Sequence, residues 1–252
     1  MPVRAVFFDV GDTLVEHWAP TERLHELLRE ALRREFGDRG WYERWIAGEI
    51  RPDGVGRGGQ SIEPIVDEQA LRQETLRWYE EWFRNAQIGL DDIATDRLRS
   101  VMSVPLDLVS TPVAGAFDAV RWCKAKGLAV VLVSNTLSRG DDEMRADWRR
   151  YGLADAIDGY VSSHSVGWQK PHREIYERAL QVARVAPDEA VMVGDRLDAD
   201  IWGAKRLGIR AVLRRTPHEQ AEVDATPDAV IDDLTALPGV LASWLGVPIE
   251  KG

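Results

Sequence analysis

Short apolar runs alternate with helical patterns through most of the chain, and this alternation is the strongest constraint on its fold. Apolar runs of strand length occur at residues 4–10, 128–133, 157–162, 190–193 and 209–213, with Val230–Ile231 as a further candidate. Apolar residues recur at helical spacing over residues 114–126, 141–151, 172–185 and 199–207. Helices that alternate with buried strands indicate the α/β class, in which a parallel sheet is covered by helices on both faces.

One long segment interrupts this alternation after the first strand. Residues 16–104 carry helical patterns almost throughout, apart from a glycine-rich loop at residues 51–59, and they hold half of the ten tryptophans. The simplest interpretation is a chain of two domains. Residues 1–15 and 109–252 would form a Rossmann-like core, and residues 16–108 would form an inserted α-helical domain.

The composition excludes several classes of protein. The net charge is -10 and no run of Lys or Arg occurs, which argues against a nucleic-acid partner. No apolar run approaches the roughly 20 residues of a membrane span, and Asp9 interrupts the N-terminus before a signal-peptide core could form. A single cysteine, Cys123, excludes an intramolecular disulfide. We therefore expect a cytoplasmic monomer or homodimer without a membrane partner.

Polar residues cluster directly after three of the predicted strands. The residues at these strand ends are Asp9, Gly11, Asp12 and Thr13 after the first strand, Ser134 and Asn135 after residues 128–133, and Asp195 and Asp200 after residues 190–193. Lys170 precedes the predicted helix 172–185. Because the carboxyl ends of parallel strands meet at one edge of a sheet, we expect these side chains to lie close together.

These residue types suit a site for a cation and a phosphate group. Converging carboxylates repel each other unless a cation lies between them, and a set of oxygen ligands without His or Cys suits Mg²⁺. The hydroxyls of Ser134 and Thr13 are suited to binding an anion, and Lys170 adds a compact positive charge. Each residue taken singly is better explained as a turn residue, a cap or a solvated side chain. Their joint occurrence at the strand ends favours the functional interpretation.

Four segments in this order resemble a known signature. FFDVGDTL, VVLVSN, QKP and VGDRLDADIWGAKRLG resemble the four motifs of the haloacid dehalogenase-like hydrolases, and the resemblance extends over nearly the whole chain. The inserted helical segment is similar to the C1-type α-helical cap of that family. The resemblance implies a Mg²⁺-dependent hydrolase, most simply a phosphatase that acts on a small phosphorylated metabolite.

The resemblance also implies a role for each site residue. Asp9 would be the nucleophile and a Mg²⁺ ligand, with the Gly11 carbonyl and Asp195 as further ligands. Asp200 would be an auxiliary carboxylate of the same metal site. Ser134 would hold the transferring phosphoryl group, and Lys170 would neutralise its charge and that of Asp9. The remaining candidates for phosphate binding are Thr13 and Asn135.

One position departs from the family pattern. Phosphatases of the family carry a second Asp two residues after the nucleophile, where it protonates the leaving group, and this chain has Gly11 there. Three explanations stay open. Asp12, Glu16 or His17 takes over the acid role, with Asp12 as the first candidate. Alternatively, the substrate has a leaving group that needs no proton, or the protein is a slow or inactive relative that binds phosphate compounds.

A second enzymatic interpretation is hydrolysis of a 2-haloacid. Dehalogenases of the family also form an ester on an Asp, but they carry a Tyr at the position of Gly11. This interpretation predicts halide release without a metal. The alternative of a binding protein without turnover draws its support from Gly11 and predicts that phosphate ligands bind without being hydrolysed.

Overall fold

The computed structural model describes residues 2–16, 18–37, 100–101, 103–136, 139–218 and 220–245. The chain forms two compact units, Met1–His17 with Ser110–Gly252, and Trp18–Val109. Most of the second unit lies outside the described residues, and so do His17, the loop at 51–59 and the tryptophans Trp41, Trp45, Trp78 and Trp82. The prediction that residues 16–108 form a helical domain therefore stays a prediction.

A six-stranded parallel sheet forms the centre of the first unit. Its strands are β1 (Ala5–Phe8), β4 (Ala129–Ser134), β5 (Gly159–Ser162), β6 (Ala190–Gly194), β7 (Arg210–Arg214) and β8 (Ala229–Ile231). Their order in the sheet is β5-β4-β1-β6-β7-β8, and every neighbouring pair is parallel. A short antiparallel pair, β2 (Val15–Glu16) and β3 (Thr111–Pro112), connects the two chain segments that make up this unit. The predicted α/β fold is confirmed.

Helices alternate with these strands as the apolar spacing predicts. They are α2 (Ala116–Ala125), α3 (Asp141–Arg150), α4 (Ser163–Val166), α5 (Arg173–Ala183), α6 (Gly203–Lys205) and α7 (Leu237–Leu245). The predicted helix over residues 199–207 is instead a π-helical segment, Leu197–Trp202, followed by α6. In the second unit, α1 (Thr21–Phe36) ends at Gly37, which has a positive φ of 75°. None of the described helices is long and apolar enough to cross a membrane.

The centre of the sheet is apolar on both faces. All four residues of β1 and all five of β6 are buried. On one face, Ile175, Tyr176 and Ala179 of α5 belong to one apolar cluster with Phe7 of β1 and Met192 of β6. Burial on both faces explains why these strands are unbroken apolar runs in the sequence, and it provides a rigid base for the residues that follow them.

The strand order places a crevice beside the central strand. After β1 the chain first adds β4 and β5 on one side of β1. It then returns to the other side and adds β6, β7 and β8, so the direction in which strands are added reverses at β1. Phe8 pairs with Leu132 of β4 and with Val193 of β6, so that Asp9, the next residue, is level with Val133 of β4 and Gly194 of β6. Ligands of open α/β sheets bind at such reversal points.

Candidate active site

The carboxyl ends of β1, β4 and β6 bring three predicted site residues to one edge of the sheet. Asp9 follows β1, Ser134 ends β4, and Asp195 follows β6. All three side chains are buried. The backbone amide of Asp9 still donates a hydrogen bond to the Val193 carbonyl at 2.9 Å, although the strand pairing ends at Phe8. The predicted strand 4–10 is therefore shorter, and its last residues form the start of the active-site loop.

Lys170 lies between two carboxylates. Its Nζ is 2.5 Å from Oδ1 of Asp9 and 2.7 Å from Oδ1 of Asp200. Only 2% of the Lys170 surface is exposed, and Asp200 is 1% exposed. Burial opposes the charge on Lys170, but the two carboxylates outweigh it and raise the pKa of the ammonium above its usual value. Lys170 is therefore a permanently charged group fixed beside Asp9.

Asn135 holds the backbone of Lys170. Its Nδ2 donates to the Lys170 carbonyl at 2.9 Å, and its Oδ1 accepts from the Lys170 amide at 2.7 Å. The side chain was a candidate for phosphate binding by sequence, but these contacts assign it to the placement of Lys170. The link joins the end of β4 to the segment before α5, which are 35 residues apart in the chain.

Asp200 is placed by a glycine. A Cβ atom on Gly194 would overlap the side chain of Asp200, so the last residue of β6 has to be glycine for this carboxylate to lie against the strand. The second oxygen of Asp200 accepts a hydrogen bond from the Arg196 amide at 3.0 Å. Both oxygens of Asp200 are thus held in place, one by Lys170 and one by the backbone.

Three carboxylates share this buried space. Asp9, Asp195 and Asp200 each have an oxygen within 4.8 Å of the others. Burial, reinforced by Asp9 and Asp200, raises the pKa of Asp195 to about 8. Burial also raises the pKa of Asp200, to about 6, with Lys170 acting in the opposite direction. Three carboxylates against one ammonium leave an excess of negative charge that is costly to bury.

The donor set of this cluster fits a divalent cation. It consists of carboxylate oxygens, which hard cations such as Mg²⁺ prefer. The Gly11 carbonyl, predicted as a further ligand, lies in the same loop as Asp9, in a bridge between Gly11 and Val15. A bound divalent cation would balance the charge that Lys170 leaves uncompensated. The structure thus contains a site in which such an ion fits, next to the Asp9 carboxylate.

Thr13 contributes to this site through Asp195. Its side chain is fully buried, and its Oγ1 donates to Oδ1 of Asp195 at 3.4 Å. This contact differs from the phosphate contact that the sequence suggested for Thr13, because the hydroxyl proton that a phosphate would accept is directed at Asp195. Ser134, which is 9% exposed at the end of β4, is better placed to contact a phosphate.

Asp12 follows Gly11 in the loop after β1. It has a positive φ of 54°, a left-handed conformation that Asp tolerates better than most residues. Its carbonyl accepts from Arg214 at 2.6 Å, and Oδ2 of its carboxylate is 3.5 Å from Nε2 of the exposed His218. The carboxylate therefore lies beside the β7–β8 connection, and it is also near enough to Asp195 to contribute to the raised pKa of that residue. The predicted catalytic role of Asp12 stays a prediction, and this geometry favours the turn.

Glu16 is committed to an ion pair. Its Oε2 lies 2.5 Å from Nη2 of Arg214, whose side chain is almost completely buried. A carboxylate bound in this way is a poor candidate for the missing acid, because it would have to leave a buried arginine to reach a substrate. His17, the remaining candidate, lies outside the described residues.

Two contacts of the site were not predicted. Arg214, at the carboxyl end of β7, binds the Asp12 carbonyl and Glu16, and Gln220 binds the backbone on either side of Arg196. Arg214 could have been found, because it ends a strand at the edge that carries the other site residues. Gln220 carries no such signal in the sequence.

Comparisons with known proteins agree with this geometry. A family model for haloacid dehalogenase-like hydrolases matches residues 3–208. The chain is 27% identical over 250 residues to the glyceraldehyde 3-phosphate phosphatase of Pyrococcus furiosus, a match that covers 95% of this chain and 93% of that protein. It is also 35% identical over 123 residues to the phosphoserine phosphatase of Thermus thermophilus, which covers 49% of this chain and 47% of that protein.

The fold is also that of a solved dehalogenase. The crystal structure of a 2-haloacid dehalogenase from Pseudomonas syringae pv. Tomato DC3000 matches with a TM-score of 0.59 at 25% identity, over 96% of this chain and 99% of that chain. The family model covers β1, β4, β6, Lys170 and Asp200, the parts that build the site described above. The chain therefore belongs to the haloacid dehalogenase-like hydrolase family and is a hydrolase.

Proposed function

We propose that this protein is a Mg²⁺-dependent phosphatase that acts on a small phosphorylated metabolite through an aspartyl-phosphate on Asp9. The main support is the position of Asp9. It lies at the reversal point of the sheet, 2.5 Å from a buried Lys170 and within 4.8 Å of two further carboxylates. The names of the two phosphatase relatives support the same activity.

The residues suit the two steps of such a reaction. In the first step a carboxylate oxygen of Asp9 attacks phosphorus, and the bond from phosphorus to the leaving-group oxygen breaks. The leaving group departs as an alkoxide or takes a proton from an acid. In the second step water attacks the phosphorus of the acyl phosphate, which releases inorganic phosphate, restores Asp9 and gives up a proton to solvent or a base.

The side chains around Asp9 would stabilise the charge that moves in these steps. Lys170 neutralises negative charge on Asp9 and on the phosphoryl oxygens, and Ser134 donates a hydrogen bond to one of them. Mg²⁺, held by Asp9, Asp195 and the Gly11 carbonyl with Asp200 nearby, would neutralise further phosphoryl charge. Because these groups are fixed before the substrate arrives, they need little reorganisation during the reaction.

The preferred substrate follows from Gly11. No carboxylate stands at this position to protonate the departing oxygen, Glu16 is paired with Arg214, and Asp12 points toward His218. A positioned acid is typically worth about 10²–10⁴ in rate. We propose that good leaving groups, such as those of acyl phosphates, are hydrolysed faster than simple alkyl phosphates.

The activity is tested by phosphate release in the presence of Mg²⁺ from three substrates of decreasing leaving-group quality. These are acetyl phosphate, p-nitrophenyl phosphate and glycerol phosphate. We expect turnover to fall steeply along this series and to stop when Mg²⁺ is removed by a chelator. Equal turnover on all three substrates would mean that another residue protonates the leaving group.

The dehalogenase alternative is distinguished in the same assay. The match to the Pseudomonas syringae structure shares the fold, and a dehalogenase would release halide from 2-chloropropionate without a metal. The charge balance favours the phosphatase, since the acidic cluster suits a cation and a metal-independent reaction has no use for one. Halide release unaffected by chelator would overturn the phosphatase proposal. Binding of phosphate without turnover in either assay would identify a binding protein.

A cytoplasmic location and a monomeric or homodimeric state stay predictions.

The apparent affinity for Mg²⁺ is expected to rise between pH 6 and pH 8, the range set by the raised pKa values of Asp200, about 6, and Asp195, about 8. Protons compete with the metal for these carboxylates, so each displaced proton gives up to about a tenfold change in affinity per pH unit. Calorimetric titration with Mg²⁺ in buffers of different ionisation enthalpy measures both the affinity and the proton release.

The same shift fixes how the stability of the metal-free protein depends on pH. The pKa of Asp195 is higher in the folded chain than its ordinary value of 3.8, so the folded state binds more protons between about pH 4 and pH 8. The free energy of unfolding should therefore decrease as pH rises through this range. Asp195→Asn should remove much of this dependence and weaken Mg²⁺ binding without unfolding the core. Mg²⁺ affinity that is constant from pH 6 to 8 would contradict the assignment of Asp195 and Asp200 to the metal site.

A further inference from the structure

We propose that Gln220 is a positioning residue that holds the Asp195 loop in the geometry required for metal binding. Nothing in the family motifs points to this residue. The inference rests on the proposed metal site, and it concerns how that site is kept in shape. Gln220 itself touches neither Asp9 nor the Asp195 carboxylate; it acts through the backbone.

Gln220 forms two hydrogen bonds to the backbone of the Asp195 loop. Its Oε1 accepts a hydrogen bond from the Leu197 amide at 2.8 Å, and its Nε2 donates to the Asp195 carbonyl at 3.1 Å. The two bonds span Arg196 and use both ends of the side-chain amide. A side chain held at both ends fixes the orientation of the two peptide groups and so the direction in which the Asp195 side chain leaves the backbone.

The loop needs such a restraint because the charge of the site pushes it outward. Asp195 lies among Asp9 and Asp200, and like charges in a buried space repel strongly. The segment between β6 and the π-helical Leu197–Trp202 has no strand pairing to resist this force. The Arg196 guanidinium forms its ion pair with Asp198, with Nη2 2.6 Å from that carboxylate, and it acts on Asp195 and Asp200 without an ion pair to either. Gln220 supplies a restraint from outside the cluster.

A neutral amide is well suited to this task. It both donates and accepts, so it can satisfy a carbonyl and an amide of the same loop, and it adds no charge to a site that already holds several. An arginine could only donate and a glutamate could only accept. Asn135 makes the same pair of bonds to the backbone of Lys170, at 2.9 and 2.7 Å. A side-chain amide thus holds the backbone at Lys170 and, in the same way, the backbone at Asp195, the proposed metal ligand.

The segment that carries Gln220 is itself anchored to the sheet. It follows β7, which pairs with β6, the strand that ends before Asp195. At the start of this segment, the buried Arg214 donates to the Asp12 carbonyl at 2.6 Å and pairs with Glu16. The connection after β7 therefore contacts both loops that supply the predicted metal ligands, the one after β1 through Arg214 and the one after β6 through Gln220.

Gln220→Met in the full-length chain tests the inference, because Met has a similar length and can make neither hydrogen bond. We expect the Mg²⁺ dissociation constant, measured by calorimetry at pH 8, to increase about 10-fold, the lower end of what outer partners of metal ligands contribute. We also expect faster hydrogen exchange at the Leu197 amide in the metal-free protein, since this amide loses its acceptor. The second readout does not depend on metal or on activity.

Gln181→Met is the matched control. Gln181 is an exposed residue of α5, and its substitution should change neither measurement. Gln220→Asn is the second variant, which keeps the amide but is one methylene too short to reach both groups, and it should repeat both changes. If the methionine variant fails to fold, the asparagine variant decides the question.

The outcomes separate this inference from the proposed function. If the parent protein binds no Mg²⁺, the proposed metal site is wrong and the inference falls with it. If the parent binds Mg²⁺ and the Gln220 variants bind it equally well, the metal site stands and the inference is overturned. A change in affinity without faster exchange at Leu197 would also overturn it, because the effect would not pass through the loop.

Discussion

Asp9→Asn is expected to abolish phosphate release, with kcat lowered on the order of 10³-fold or more for every substrate. The neutral amide has nearly the same shape as the carboxylate but cannot form the acyl phosphate. The fold should be unaffected, because Lys170 keeps its contact with Asp200 at 2.7 Å. The measurement is steady-state phosphate release from acetyl phosphate with Mg²⁺, together with mass spectrometry of the chain after rapid acid quenching.

The quenched parent protein should carry one phosphoryl group on Asp9, and the variant should carry none. Asp12→Asn is the matched control, since it changes a carboxylate of the same loop whose Oδ2 lies 3.5 Å from Nε2 of His218. It should leave the phosphorylated species in place. Phosphate release by Asp9→Asn at a rate near that of the parent would show that Asp9 is not the nucleophile.

The convergence of the acidic and basic residues could be predicted from the sequence. Asp9, Asp195 and Ser134 follow or end apolar runs of strand length, and parallel strands bring their carboxyl ends to one edge. The placement of Lys170 against Asp9 and Asp200 needed more than this rule, because Lys170 precedes a helix. It came from the order of the four segments, which resembles that of a family. The structure places Lys170 and the carboxylates of Asp9, Asp195 and Asp200 within one buried cluster.

The direction of individual side chains could not be predicted in the same way. Thr13 and Asn135 stand at strand ends, but their polar atoms face Asp195 and the Lys170 backbone. Which way a loop side chain points depends on local backbone angles and on neighbours far along the chain, and the residue type does not reveal these. Gln220 contacts Asp195 across 25 residues, with no spacing that marks it.

The order of Gly and Asp in the active-site loop leads to the second large effect. Gly11 is not among the glycines of positive φ, whereas Asp12 has a φ of 54°. The φ angle at position 11 is thus one that residues with a side chain adopt, whereas the φ angle at position 12 favours glycine. The double variant Gly11→Asp with Asp12→Gly exchanges the two residues. It places a carboxylate two residues after Asp9, the position at which phosphatases of this family carry their second Asp.

We expect this exchange to increase turnover of glycerol phosphate by about 10²-fold, the lower end of what a positioned general acid contributes. Turnover of acetyl phosphate should change little, because its leaving group departs without a proton. The increase should therefore flatten the dependence of rate on leaving group, which is measured by phosphate release from the same three substrates. Turnover of glycerol phosphate by the exchange variant should also fall toward high pH, since the added carboxyl group loses the proton that it has to donate.

Asp12→Gly alone separates the two substitutions. It relieves the left-handed strain at position 12 and removes the carboxylate beside His218, but it adds no acid. If the single variant increases glycerol phosphate turnover as much as the exchange does, loop relaxation explains the effect and the acid does not. If neither variant changes the leaving-group dependence, the chain already protonates its leaving group by another route. The lack of an acid at position 11 would then not limit the reaction, and the preference proposed for good leaving groups would be wrong.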